Sequence, residues 1–245
     1  MNNKIAAVIL GAGKGKRMGA DIPKVMMPVC KKPMIRHIID TLETLPADRI
    51  ITVISPEGEL VKKEVAPYET VIQEKALGTA HAVLSAKEAL KGFDGIVLVV
   101  FGDNPTIGKE IFEEAVSKIK SGFATINLGV RIKNDTRYGR LKMKGEQLLE
   151  IVEYKDANEE EKKIDLVNSD LMAFDGRYMF DILDEIDNHN AAGEYYLTKA
   201  VEIANKKGLK CGVVEISDRS IAGANTREDL ALLEKFLEER NKCSS

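Results

Sequence analysis

The first hundred residues alternate between two hydrophobic rhythms. Short runs dominated by Ile, Val and Leu ("KIAAVIL", "RIITVIS", "TVIQ", "GIVLVVFGD") are separated by stretches whose apolar residues recur every three or four positions ("MIRHIIDTLETL", "GELVKKEVA", "TAHAVLSAKEALK"). The first rhythm predicts strands and the second predicts helices with one buried stripe. Their alternation predicts a parallel sheet covered by helices. The run "IVLVV" is apolar at every position, as a central strand buried on both faces requires. In the first helical stretch Met34, Ile35, Ile38, Ile39 and Leu42 share one face, and Pro33 suits the first turn.

Beyond about residue 123 the rhythm changes. "ATINLGVRI" and "GRLKMKGEQLLEIVEY" predict strands, the latter a hairpin turning at Lys144-Gly145, and "DLVNSDLMAF" predicts another, together an antiparallel insertion over one end of the sheet. Helical spacing returns in "RYMFDILDEI", "EYYLTKAVEIANKKG" and "REDLALLEKFLEE", with a strand "KCGVVEI" between the last two. The expected class is α/β, a mostly parallel twisted sheet with helices on both faces. At 245 residues a single unit over 1–245 is expected, with halves of about 1–122 and 123–245.

Charge narrows the function classes. Thirty-six basic against 39 acidic side chains leave a formal net charge of -3, which speaks against nucleic acid or a membrane surface as partner. The three cysteines, Cys30, Cys211 and Cys243, are too scattered for a disulfide framework or a CxxC metal site. The apolar run near the N-terminus is too short for a signal-peptide core or a membrane span, so a cytoplasmic protein is expected.

Ligands of open α/β sheets bind beyond the carboxyl ends of the strands, and the chemistry-bearing residues collect at those ends. "VILGAGKGKRM" runs from an apolar strand into Gly11, Gly13 and Gly15, followed by Arg17 and, after Pro23, Lys24. Glycines let backbone N–H groups approach phosphate, while Arg and Lys supply cations for its oxygens. Lys16 occupies the position where either a GxGxxG or a Walker A loop would need glycine. Taken alone, the loop is also compatible with an ordinary glycine-rich turn. "VVFGD" ends in Asp103, a candidate ligand for a hard divalent cation or a turn residue before Pro105. Gln73, Gly78 and Thr79 in "VIQEKALGTAHAV" could read a base edge, with Thr79 as a helix cap the simpler alternative; His81 is given no catalytic role. In "AGANTRED", Asn225 or Thr226 fits a capping box, the reading that spacing alone favours, with Asn225 as a metal ligand the alternative.

Ten blocks in register, "VILGAGKGKRM", "IPKVM", "KKPMIRHIID", "QEKALGTAHAV", "FGDNP", "YGRL", "IVEYKDA", "VNSD", "GEYYLTKAVEIA" and "AGANTRED", resemble the sugar-1-phosphate nucleotidyltransferase family. The resemblance is closest to the uridylyltransferase domain of bacterial N-acetylglucosamine-1-phosphate uridylyltransferases. It implies a Rossmann-like nucleotide-diphospho-sugar transferase fold and Mg²⁺-dependent transfer from UTP to a sugar 1-phosphate, N-acetylglucosamine 1-phosphate first. Another sugar 1-phosphate or another NTP is the alternative, and a non-catalytic nucleotide-sugar sensor a further one. Carried over by position, it implies that Leu10, Gly11, Ala12, Gly13, Phe101 and Gly102 hold the nucleotide, and that Gln73, Gly78 and Thr79 read uracil. Arg17 and Lys24 would lie along the triphosphate, Asp103 and Asn225 would hold Mg²⁺, and Gly139, Glu153 and Asn168 would contact the sugar.

The sequence departs from the family at Lys16 (usually Thr or Ser), Phe101 (commonly Tyr), Asn104 (a small apolar residue) and Asp170 (glycine). No hexapeptide-repeat block is present, so no β-helix acetyltransferase domain is expected, and without that trimerising element a monomer or weak homodimer.

Overall fold

Strand β1 (Ile5–Leu10) is apolar at every position because both its faces are covered. Ile5, Ala7 and Ile9 enter one apolar cluster and Ala6 and Val8 enter the other, the period of two of an extended chain between two helical layers. The computed structural model describes residues 4–13, 22–133, 137–216, 224 and 226–243, of which the side chains at 170, 227 and 241–243 are left aside.

After β1 come a small hairpin, β2 (Pro28–Val29) and β3 (Lys32–Pro33), then α1 (Met34–Glu43), β4 (Arg49–Ile54), α2 (Glu59–Val65) and β5 (Glu69–Ile72). Next are α3 (Thr79–Leu84), β6 (Ile96–Phe101), α4 (Lys109–Lys120), β7 (Thr125–Arg131), β8 (Arg140–Lys144) and β9 (Gln147–Val152). The chain continues through β10 (Leu166–Asp175), α5 (Gly176–Leu183), α6 (Lys199–Lys206), β11 (Cys211–Ile216) and α7 (Arg227–Cys243).

The sheet order is β11-β7-β10-β6-β1-β4-β5, and on this path only β10 runs against its neighbours. Helices α1, α2 and α4 cover one face, with Ile35, Val61 and Phe112 in one cluster; α3, α5 and α6 cover the other, with Val83, Met179 and Val201. The five apolar residues read onto one face of α1 are all buried. The expected α/β class holds, and one sheet continues through both halves of the chain.

Three local expectations change. The antiparallel element is smaller than the sequence suggested: β7 and β10 lie in the main sheet, and only the β8–β9 hairpin, turning through Gly145 at φ 60°, hangs from β10. Helix α3 stops at Leu84, after which Ala86 and Lys87 donate three residues back rather than four, although Ala86 and Leu90 stay buried. Helix α6 begins only at Lys199, because the Tyr195 backbone is committed elsewhere: its N–H donates to the Leu77 carbonyl at 2.8 Å and its carbonyl accepts from Ala80 at 2.9 Å.

Candidate active site

The carboxyl ends of β1 and β6 are bound to each other. The Gly102 N–H donates to the Leu10 carbonyl at 3.0 Å, and a Cβ at 102 would lie 2.9 Å from Val25 Cγ1. Half-buried Leu10 and Phe101 are thereby neighbours at one sheet edge. Gly11 is held from the other side, its N–H donating to the Val53 carbonyl at 2.8 Å; a Cβ there would sit 3.2 Å from that carbonyl oxygen. Ala12 is half-buried and Gly13 exposed, and among the described residues a Cβ at Gly13 meets nothing within 4 Å. Residues 14–21, with Lys16 and Arg17, lie outside the described residues.

Lys24 opens a 3-10 turn (Lys24–Met26) behind the glycine loop, its backbone N–H reaching the Gly13 carbonyl at 3.4 Å. Its Nζ is ion-paired with Asp103 Oδ2, the two side chains only 15% and 16% exposed. The Asp103 carbonyl accepts from the Ala224 N–H at 3.2 Å, which holds Ala224 beside the end of β6. Asn225 follows immediately and lies outside the described residues. The helix cap is Thr226: its Oγ1 accepts from the Asp229 N–H at 3.1 Å and its own N–H donates to Asp229 Oδ2 at 2.9 Å, a capping box. Fully buried Asn104 accepts from the Thr106 hydroxyl at 2.8 Å, which gives that departure from the family a structural role.

Gln73 is 7% exposed, just past β5, with Nε2 at 3.1 Å from the Gly78 carbonyl oxygen and 3.2 Å from His81 Nδ1. Gly78 adopts φ 123°, and a Cβ there would lie 2.5 Å from the Tyr195 carbonyl oxygen. The Thr79 hydroxyl does not cap its helix; it accepts from the Leu197 N–H at 2.9 Å. The loop carrying Gly78 and Thr79 is thus fastened to the segment 195–197.

That segment also walls a cavity of ≈ 230 Å³, whose lining includes Thr79, Phe101, Gly139, Glu153, Asn168 and Thr198. Residues from both halves of the chain meet here. The Asn168 N–H donates to the Gly139 carbonyl at 2.8 Å, and Thr198 donates its hydroxyl to Glu153 Oε1 at 2.8 Å. A Cβ at Gly139 would sit 2.9 Å from Ile151 Cγ2, so glycine lets Glu153 and this loop lie side by side. Burial pushes the Glu153 carboxyl above its usual range, Thr198 partly offsets this, and Asp156 and Glu194 add to the rise. The cavity also includes Asn127, which lies in no motif, and Tyr196, which lies within "GEYYLTKAVEIA" but is given no role there. The one signal for Asn127 is a polar residue between Ile126 and Leu128 in a mostly apolar run.

Among the described residues no group of three or more His, Cys, Asp or Glu side chains could hold a metal ion unaided. Nor is any helix long and apolar enough to cross a membrane.

Residues 7–138 match the MobA-like NTP transferase domain, more than half of the chain. The chain belongs to that family. This nucleotidyltransferase is 42% identical over 241 residues to the bifunctional protein GlmU of Paramagnetospirillum magneticum, covering 98% of the chain and 54% of the relative. It is 44% identical over 239 residues to GlmU of Rhodospirillum rubrum, with 97% and 54% covered. It therefore spans about half the length of these relatives. A structure from Bacillus anthracis, assigned as a glucose-1-phosphate thymidylyltransferase in complex with a sucrose, superimposes with a TM-score of 0.76 at 19% identity, over 95% of this chain and 94% of that one. At that identity it shows the shared fold.

Proposed function

We propose that this nucleotidyltransferase transfers a uridylyl group from UTP to N-acetylglucosamine 1-phosphate, forming UDP-N-acetylglucosamine and pyrophosphate. The observation that carries this reading is a cavity lined by Thr79 and Phe101 from the first half of the chain together with Gly139, Glu153 and Asn168 from the second. A nucleotide lying over Leu10, Gly11, Ala12, Gly13 and Gly102, with its base at Gln73 and Gly78, would there meet a sugar phosphate. The similarity to GlmU proteins over nearly the whole chain supports the choice of substrates.

A sugar phosphate whose second pKa is about 6 is already a dianion near neutral pH, so its oxygen can attack the α-phosphorus in line without a general base. The protein's task is to hold two anions together and neutralise charge on the departing pyrophosphate, which falls to Lys24, Arg17 and the N–H groups of the glycine loop. Mg²⁺ prefers one or two oxygen ligands from protein plus substrate phosphates, and a single carboxylate at Asp103 with the amide oxygen of Asn225 is such a donor set. Bound with the nucleotide, it would supply electrostatic neutralisation at the phosphates. Lys24 and Asp103 neutralise each other in the structure. With nucleotide present Lys24 would turn to phosphate and Asp103 to the cation, so neither charge is left unpaired.

The same chemistry on another sugar 1-phosphate is the second reading, favoured by Asn127 in the cavity wall and by Asp170 where the family has glycine. A non-catalytic sensor is the third. A cytoplasmic setting and a monomeric or weakly dimeric state belong to the same proposal. Pyrophosphate release across a panel of NTPs and sugar 1-phosphates, with and without Mg²⁺, separates the readings: UTP with N-acetylglucosamine 1-phosphate should lead, and binding without turnover identifies the sensor. Arg17→Ala and Asp103→Ala should each lower turnover by orders of magnitude in folded protein; near-normal release by either variant refutes its role.

A further inference from the structure

Gln73 has an amide whose orientation is decided by its surroundings. Its Nε2 faces the Gly78 carbonyl oxygen at 3.1 Å, and a carbonyl can only accept, so the nitrogen end of the carboxamide belongs there. The same nitrogen lies 3.2 Å from His81 Nδ1. With one N–H given to Gly78, the other points at the imidazole, which must offer a lone pair and so carry its proton on Nε2. The His81 ring is flanked by Tyr195, centroids 6.5 Å apart and planes tilted 42°, and the Tyr195 backbone is fixed by its bonds to Leu77 and Ala80. Both amide hydrogens are thereby spent within the protein, and Oε1 is what the carboxamide offers a ligand.

We infer that His81 is a positioning residue for nucleobase selection: through Nδ1 it holds Gln73 with its carbonyl oxygen presented. The site then favours a base that brings an N–H to that edge, such as uracil or thymine, over cytosine, whose ring nitrogen there is an acceptor. This rests on the proposed use of Gln73 as the base reader. Loss of the His81 acceptor leaves the nitrogen end facing the Gly78 carbonyl without its second contact, so the carboxamide is held less firmly and presents Oε1 to the base less of the time.

The test is the ratio of kcat/KM for UTP and CTP in wild type, Gln73→Ala, His81→Leu, which removes the acceptor, and His81→Asn, whose Oδ1 restores one. Loss of one neutral hydrogen bond predicts about a three- to tenfold fall in the UTP preference of His81→Leu, carried mainly by the KM for UTP, with His81→Asn recovering most of it. If wild type does not prefer UTP, the uridylyl reading fails. If wild type prefers UTP and Gln73→Ala loses that preference while His81→Leu keeps it, the inference about His81 fails and the function stands. A second measurement needs no variant: ¹⁵N chemical shifts of wild-type His81 at pH 8 should show a protonated Nε2 and a bare Nδ1. The opposite tautomer overturns the inference.

Discussion

Gly78→Ala tests whether the nucleobase loop and the sugar-side wall are one structure. At φ 123° and ψ 175° residue 78 occupies a region nearly reserved for glycine, and holding alanine there costs about 1–3 kcal/mol. The new Cβ would lie 2.5 Å from the Tyr195 carbonyl oxygen and 2.6 Å from its nitrogen. Both are backbone atoms, so no side-chain rotation relieves the overlap, and the loop must separate from the segment. Separation gives up three hydrogen bonds: Ala80 to Tyr195, Tyr195 to Leu77, and Leu197 to the Thr79 hydroxyl. At about 1 kcal/mol each, less what water restores at an accessible loop, the loss is about 2–3 kcal/mol; the strain largely relaxes once the loop moves, so the two costs are alternatives. For a chain of this size that is a fall in Tm of about 4–12 °C.

The displaced segment carries Tyr196 and Thr198, which line the cavity, so the damage should not stop at the nucleotide. In a pyrophosphate-release assay the KM for UTP and the KM for the sugar phosphate should rise together. A Gly78→Ala protein with Tm within 2 °C of wild type and both KM values unchanged would refute the reasoning.

Gly13→Ala is the opposite case: with no atom of the described residues within 4 Å of its Cβ, the variant should match or exceed wild-type Tm, while under the proposed function the KM for UTP rises because the methyl group intrudes on the phosphate. Lys24→Met leaves a mostly buried Asp103 without its ion-pair partner and should lose about 1–3 kcal/mol in urea unfolding, with Lys24→Met/Asp103→Leu recovering much of it; equal single and double variants would show that the pair is not coupled. Glu153 has a folded-state pKa raised by burial, so the folded protein binds this proton more tightly than the unfolded chain. Its contribution therefore turns unfavourable as pH climbs past the unfolded carboxylate value of about 4.3. Glu153→Gln should gain Tm over wild type progressively above that pH while raising the KM for the sugar phosphate; a Tm difference independent of pH contradicts the assignment.

What could be read from the sequence follows from what local sequence controls. The continuous apolar runs of β1 and β6 and the stripe of α1 are set by burial of each element within the sheet and its helical layers, and the structure buries them as expected. The start of α6 was misplaced for the converse reason. "EYYLTKA" has helical spacing, but its backbone N–H and C=O at Tyr195 are taken by a loop more than a hundred positions earlier, and no local pattern reports that. The His81 contact to Gln73 was hidden in the same way: a histidine on a helix face carries no mark of the amide it meets.

The glycines of the motifs divide along the same line. In the sequence Gly11, Gly13, Gly78 and Gly102 are equivalent signs of close backbone approach. In the structure a Cβ at Gly78 would stand 2.5 Å from the Tyr195 carbonyl oxygen, at Gly102 2.9 Å from Val25 Cγ1 and 3.0 Å from the Leu10 carbonyl oxygen, and at Gly11 3.2 Å from the Val53 carbonyl oxygen, a tight contact. Packing within the protein itself therefore crowds all three, Gly78 most and Gly11 least. No atom of the described residues stands within 4 Å of a Cβ at Gly13, so among the four it is the position where substitution disturbs the described fold least. Under the proposed function, substitution at Gly13 is therefore the cleanest of the four probes of phosphate contact, whereas loss of activity at Gly78 or Gly102 confounds binding with folding.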